Sequence, residues 1–224
     1  MKSKSSRPKF NLFISLVFGV IVLTSPWFWI TVRNFSLIFP IKFEFITPSS
    51  QSLIEEVNTL RGELSVVSIS PILARAVMNK INVYFFEVSR RYFESYDPQF
   101  LFFMGDLDVV KSTHSTGPIF LILLPLTIIG ILSYLSKKKR FLIFLLLVTP
   151  VPAVFDTVHY GVVLRIPLFL VLSYIAVLGF TKVLENKKIL AVVLILFFLF
   201  EFFRFFHDYY DHYPRRMGTE LLSK

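Results

Sequence analysis

The chain has 224 residues, of which 54% are apolar, 17% aromatic and 17% charged, with a net charge of +9 and a mean hydropathy of +0.66. Soluble domains carry about 25% charged residues, so an ordinary soluble globule and a disordered tail are both disfavoured. There is no Cys, which removes disulfides, thiolate metal sites and cysteine nucleophiles, and the 8 Gly are too scattered to build a P-loop or a dinucleotide-binding turn.

Residues 1–9 hold Lys2, Lys4, Arg7 and Lys9, and Phe10 to Val32 then runs without a charge. That run is long enough for a helix across a hydrocarbon core of about 30 Å. No small-residue cleavage site follows Leu23, and Trp27, Phe28 and Trp29 read as an interfacial aromatic belt. Residues 10–32 are therefore expected as an uncleaved first span.

Residues 33–117 are too long for a simple connector and are expected as an extracytoplasmic loop. Ser36–Ile46 is mostly apolar and ends in the turn-like Thr47-Pro48-Ser49-Ser50. From Pro71 to Tyr96, Leu73, Val77, Ile81, Tyr84, Val88 and Tyr92 recur at helical spacing, widened by Phe85 and Phe86. Arg75, Lys80, Glu87, Arg90, Arg91 and Glu94 mostly take the other face. The spacing predicts an amphipathic helix that lies on the membrane surface or caps the spans.

Four further spans are expected at 118–136, 141–155, 166–181 and 189–206, with a tail at 207–224. The third span is short and contains Pro150 and Pro152, so it is expected to be broken. Glu201 and Arg204 in the last span sit three apart and are expected to pair along the helix. The fold class is thus an all-α integral membrane protein with about five transmembrane helices plus an outer loop carrying an amphipathic helix. With the N-terminus inside, the short cytoplasmic segments hold Lys2, Lys4, Arg7, Lys9, Lys137, Lys138, Lys139, Arg140, Lys182, Lys187 and Lys188 against the single acid Glu185. Acids and bases nearly balance in the outer loop. The positive charge is therefore an orientation signal rather than a footprint for nucleic acid.

The stretch Arg91-Tyr-Phe-Glu-Ser-Tyr-Asp-Pro-Gln-Phe-Leu-Phe-Phe-Met-Gly-Asp106, followed by Lys111-Ser-Thr-His-Ser-Thr-Gly-Pro118, resembles the outer segment of bacterial GT-C-type membrane glycosyltransferases of the protein mannosyltransferase and aminoarabinose transferase kind. Leu124-Pro125 and Ile129-Gly130-Ile131 look like the helix that follows there. Thr149-Pro-Val-Pro-Ala153, then Asp156, His159 and Arg165, then the helix 166–180, then Phe206-His-Asp-Tyr-Tyr-Asp-His-Tyr-Pro214 are similar to later phrases of the same family, in order. The resemblance covers roughly residues 90–216 and only the C-terminal half of such enzymes. Their catalytic acidic loop has no counterpart here, so no catalytic residue is assigned.

The resemblance implies transfer of a sugar from a polyprenyl-phosphate donor on the outer face, with inversion at the anomeric carbon. It implies an N-terminal half or partner subunit that supplies the base. Arg165, His159, Lys111 and His114 are the candidate donor-phosphate ligands, because cationic groups stabilise a phosphate and its developing charge. Asp156 and Tyr160 lie on the same outer connection. The tail's His207, Asp208, Asp211 and His212 follow a membrane exit and are read as interfacial rather than as a metal site; no metal or cofactor is expected. The bilayer, the sugar donor and a partner half are the expected partners, the location the inner membrane of a prokaryote with the N-terminus in and the C-terminus out. A non-catalytic membrane scaffold is the competing reading. A transporter is the weaker third, since no span is rich in ionisable residues.

Overall fold

The computed structural model describes residues 7–35, 51–66, 70–108, 110–135, 140–155 and 161–222. The apolar Ser36–Ile46 stretch, the Thr47–Ser50 turn, the basic residues 137–139 and the Asp156–Tyr160 connection lie outside them. Among the described residues, 83% are helical and no strand occurs.

The first apolar run forms α1 (Arg7–Thr24) and α2 (Pro26–Arg33), which meet at a 54° bend. Pro26 has no N–H to continue the helical ladder, and the Ser25 hydroxyl turns back to the Ile21 carbonyl at 2.6 Å, so the chain kinks here. One straight span over 10–32 is corrected to two helix pieces. Next among the described residues come α3 (Gln51–Val66), α4 (Pro71–Val77) and α5 (Lys80–Glu94), then a π-helical turn at Gln99–Met104. The bundle continues with α6 (Leu123–Leu135), α7 (Arg140–Val148) and a 3-10 turn at Val151–Phe155. A short 3-10 turn at Val163–Arg165 leads into α8 (Ile166–Asn186). Then follow α9 (Lys188–His207), a π turn at Asp208–His212 and α10 (Tyr213–Leu222).

The centre of the bundle is α8, the most deeply packed helix, with α6, α1, α9 and α7 around it. Its contact with α6 is a backbone-to-backbone approach. A Cβ on Gly179 would stand 1.9 Å from the Leu126 carbonyl oxygen, and one on Gly130 would stand 2.2 Å from that of Ile175. Ser173 and Ala176, also fully buried, complete a small-residue seam on α8 at spacings of three. Such seams let helices pack closely where lipid removes the usual hydrophobic drive.

Two helices, Val163–Asn186 and Lys188–Gly218, are long and apolar enough to cross a membrane, and a third crossing results if the bent α1–α2 pair is one span. That is fewer than the five expected. The helices Leu123–Ser133 and Phe141–Phe155 are apolar but shorter. At 118–122 the chain is held in a loop: Ile119 N–H donates to the Leu101 carbonyl at 3.0 Å, and Trp27 N–H to that of Pro118 at 3.4 Å. At the other place, Pro150 and Pro152 end α7 and leave a 3-10 turn.

The predicted helix over 71–96 is also divided. Asn79 caps α5 by accepting the Asn82 N–H at 2.8 Å, so α4 stops and α5 starts afresh. Polarity on α5 runs opposite to a soluble helix. Glu87 is buried and Glu94 nearly so, while Ile81, Phe85, Phe86 and Phe93 are exposed. Beneath α5, Val83 packs with Leu53 and Val57 of α3 in a small separate core. Glu201 and Arg204 interact electrostatically as expected, and both also reach the 115–122 segment: Ile122 N–H donates to Glu201 at 2.9 Å and Arg204 to the Ser115 carbonyl at 3.2 Å.

Candidate functional site

The loop from Gly105 to Pro118 is folded tightly because glycine permits it. Gly105 has φ +73°, and a Cβ there would meet the Ser112 hydroxyl at 2.5 Å. A Cβ on Gly117 would meet the Leu101 carbonyl at 2.4 Å, so two chain segments cross here in backbone contact. Within the loop, Ser112 donates to the Met104 carbonyl at 2.8 Å, and the Thr113 and Thr116 hydroxyls lie 3.1 Å apart.

The C-terminal helix clamps this loop. Ser115 donates to Asp208 at 2.6 Å, and Arg216 bonds Asp208 at 3.0 Å and also the Thr113 carbonyl. Tyr213 donates to the Val110 carbonyl at 2.9 Å, which also accepts from Asn34 at 2.7 Å. The Arg33 guanidinium lies over the stacked rings of Tyr209 and Tyr213, 5.0 and 5.7 Å from their centroids. Asp208 and Tyr213 fall in the tail phrase Phe206–Pro214, but nothing in it points to a contact with the 105–118 loop, and Asn34 and Arg216 do not stand out by residue type or spacing. The signal shared by all four is that they are polar groups close to the ends of apolar runs.

Asp106 is the buried acid of the loop. Its carboxylate accepts the Asp108 N–H at 2.9 Å and the Val162 N–H at 3.1 Å, joining the loop to the segment before α8. Burial pushes its pKa up to about 6, against the lowering effect of those N–H groups and of Lys111. With both oxygens engaged and 1% exposure, the carboxyl serves as a latch.

The four predicted phosphate ligands are distributed as follows. Lys111 is partly buried beside Asp108 at 3.5 Å. It borders a cavity of about 10 Å³ with Ser112, Thr116 and Trp27, space for about one water and none for a sugar. His114 is exposed on the same loop, in left-handed backbone at φ 57°. His159 lies outside the described residues. Arg165 is fully buried at the start of α8. Its guanidinium donates to the Ser95 hydroxyl at 3.0 Å and the Gly161 carbonyl at 2.6 Å, lies 3.7 Å from Glu94 and sits 5.3 Å from the Phe100 ring centroid.

Arg165 thus ends an ion network that runs along α5. Glu94 also meets Arg90 at 3.5 Å, and Glu87 pairs with Arg90 at 2.5 Å and Arg91 at 2.7 Å. Burial works against the charged Glu87, but hydrogen bonds from Arg91 and Arg90 hold its carboxyl below the usual range. Lys111 and Arg165 are brought to one end of the bundle through Asp106 and residues 161–162, but not to a shared open cleft. In the tail, His207 lies 3.3 Å from Asp211, and no cluster of three potential metal ligands occurs among the described residues. A larger cavity lies elsewhere: about 460 Å³ between α1, α6, α8 and α9, lined by apolar side chains such as Val20, Leu126 and Phe198.

No protein-family model, curated protein or solved structure matches the chain.

Proposed function

We propose that the chain is the C-terminal membrane portion of a GT-C-type glycosyltransferase that uses a polyprenyl-phosphate sugar, inactive without an N-terminal catalytic half. It would be inserted by five spans with the N-terminus inside, α6 packed closely on α8 and the broken α7 carrying an exposed apolar face of Phe141, Phe144 and Leu147. One observation carries this reading: the sequence phrases that resemble the family, far apart in the chain, meet at one end of the bundle. Ser95 and Phe100 meet Arg165, Thr113 and Ser115 meet Arg216 and Asp208, and the Tyr96 hydroxyl meets the Leu146 carbonyl just before the Thr149–Ala153 turn. The apolar groove between α1, α6, α8 and α9 gives an isoprenoid chain a place to lie.

The test is capture of a photoreactive polyprenyl phosphate by the purified chain in lipid nanodiscs. Crosslinks are expected at groove residues including Val20, Leu126 and Phe198, and an unlabelled polyprenyl phosphate should compete better than the phosphate-free alcohol. Equal competition by the alcohol, or no specific capture, overturns the proposal.

A second reading, a non-catalytic membrane scaffold, is favoured by the internal bonding of Arg165, the strongest phosphate candidate in the sequence. Under that reading the chain captures no polyprenyl phosphate but is isolated in a fixed ratio with one membrane protein.

A further inference from the structure

From the placement of polar and apolar side chains on α3, α4 and α5, we infer that this outer arm is half immersed in the outer leaflet, with the exposed face of α5 in lipid hydrocarbon. The inference rests on the reading of the chain as a membrane protein. The arm is two helices thick. Leu53 and Val57 of α3 close on Val83 of α5, so each helix has one face inward and one outward. The outward residues of α3 include Glu55, Asn58, Thr59 and Glu63, a surface made for water.

The outward apolar residues of α5 are Ile81, Phe85, Phe86 and Phe93, each more than half exposed, with Asn82 and Ser89 among them, while the exposed Lys80 and Arg90 lie to either side. At about 100° per residue these positions fall within one sector of roughly 140°. No charge lies in that sector. The acids of α5 are turned the other way, into the network of Glu87 and Glu94 with Arg90, Arg91 and Arg165.

A soluble helix would place those groups in the opposite sense, and a slab with one wet and one oily surface suits a water–lipid boundary. The apolar exposure is not confined to α5. Val77, Leu73 and Ile72 of α4, the helix before it, are exposed too. Tyr92 donates to the Leu147 carbonyl at 2.8 Å, which brings α5 beside α7, whose Phe144, Leu147 and Val148 are exposed. Arg75 and Lys80, exposed near the α4–α5 junction, suit anionic headgroups at the margin. Lipid is therefore the occupant chosen over a second protein.

The absence of native Cys allows single spin labels at Ser89→Cys, Phe86→Cys, Thr59→Cys and, as a membrane reference on α9, Phe200→Cys. Collision with oxygen and with an aqueous nickel chelate is measured in vesicles of phosphatidylcholine and phosphatidylglycerol. Labels at 86, 89 and 200 should favour oxygen over nickel, and the label at 59 should favour nickel. The Ser89→Cys change replaces one oxygen by sulfur, so its result stands even if Phe86→Cys fails to fold. Nickel access at 89 with a lipid-buried 200 overturns the inference alone. Shielding of 89 from both reagents also overturns it, in favour of a covering protein. Nickel access at 200 as well overturns the membrane reading beneath it.

Discussion

Asp106 holds two main-chain N–H groups of different segments in one carboxylate, and it does so out of contact with water. Burial raises its pKa from an ordinary 3.8 to about 6. A raised acid binds its proton more tightly folded than unfolded, so stability grows as pH falls from about 6 to about 4 and is constant below. A shift of this size corresponds to about 3 kcal/mol. Asp106→Asn should flatten that slope while costing one N–H bond, because the amide nitrogen faces a donor. Unfolding midpoints of both proteins in detergent at pH 7 and pH 4.5 check this; parallel changes in the two would sink it. Arg165 shows the same economy at the neighbouring position. Its planar fork serves a hydroxyl, a carbonyl and a carboxylate together, an arrangement that a lysine's single ammonium cannot copy.

Among elements, the α6–α8 contact is the one with no slack. Gly130 and Gly179 bring the two backbones together, and the nearest atoms to an added Cβ are backbone oxygens that no rotamer change can move aside. Gly179→Val should therefore separate the helices and abolish the monodisperse folded peak in size-exclusion chromatography. Gly62→Ala on α3 meets nothing within 4 Å and should instead stabilise by about 0.5–1 kcal/mol through helix propensity, read as a raised unfolding midpoint. Element type was legible in the sequence wherever apolar runs were long, as for α8 and α9. It was less legible at α5, where spacing gave the stripe but not its direction. A helix with one apolar and one charged face looks the same whether the charges meet water or each other, and only the Glu87, Glu94 and Arg165 contacts decide. Lys111 and Arg165 were legible as cations on connections between apolar runs, and the structure links both segments through Asp106 and residues 161–162. That Arg165 is enclosed was not legible, because its partners Ser95 and Glu94 are about 70 positions away.

For the whole molecule, the basic clusters of the sequence predict an orientation in the proposed membrane that labelling can test. Glu185→Cys at the end of α8 and Gly218→Cys on α10 are both exposed and should react with a membrane-impermeant maleimide from opposite sides, Glu185→Cys only after the cytoplasmic face is opened. Labelling of both from one side would overturn the topology. The bend at Ser25 and Pro26 bears on how the molecule matches its membrane. Unbent, α1 and α2 together would make a rod of about 40 Å, longer than a hydrocarbon core of about 30 Å. With the bend, the 18 residues of α1 reach roughly 27 Å, and α2 turns aside to bring Arg33 and Asn34 under the tail. The 21 residues of α8 come to about the same length, whereas the helical run that holds α9 goes on to Gly218, 31 residues or about 46 Å. If these helices cross a membrane, α1 and α8 suit a core of modest thickness, and the last helix must tilt in it or carry its end out into water.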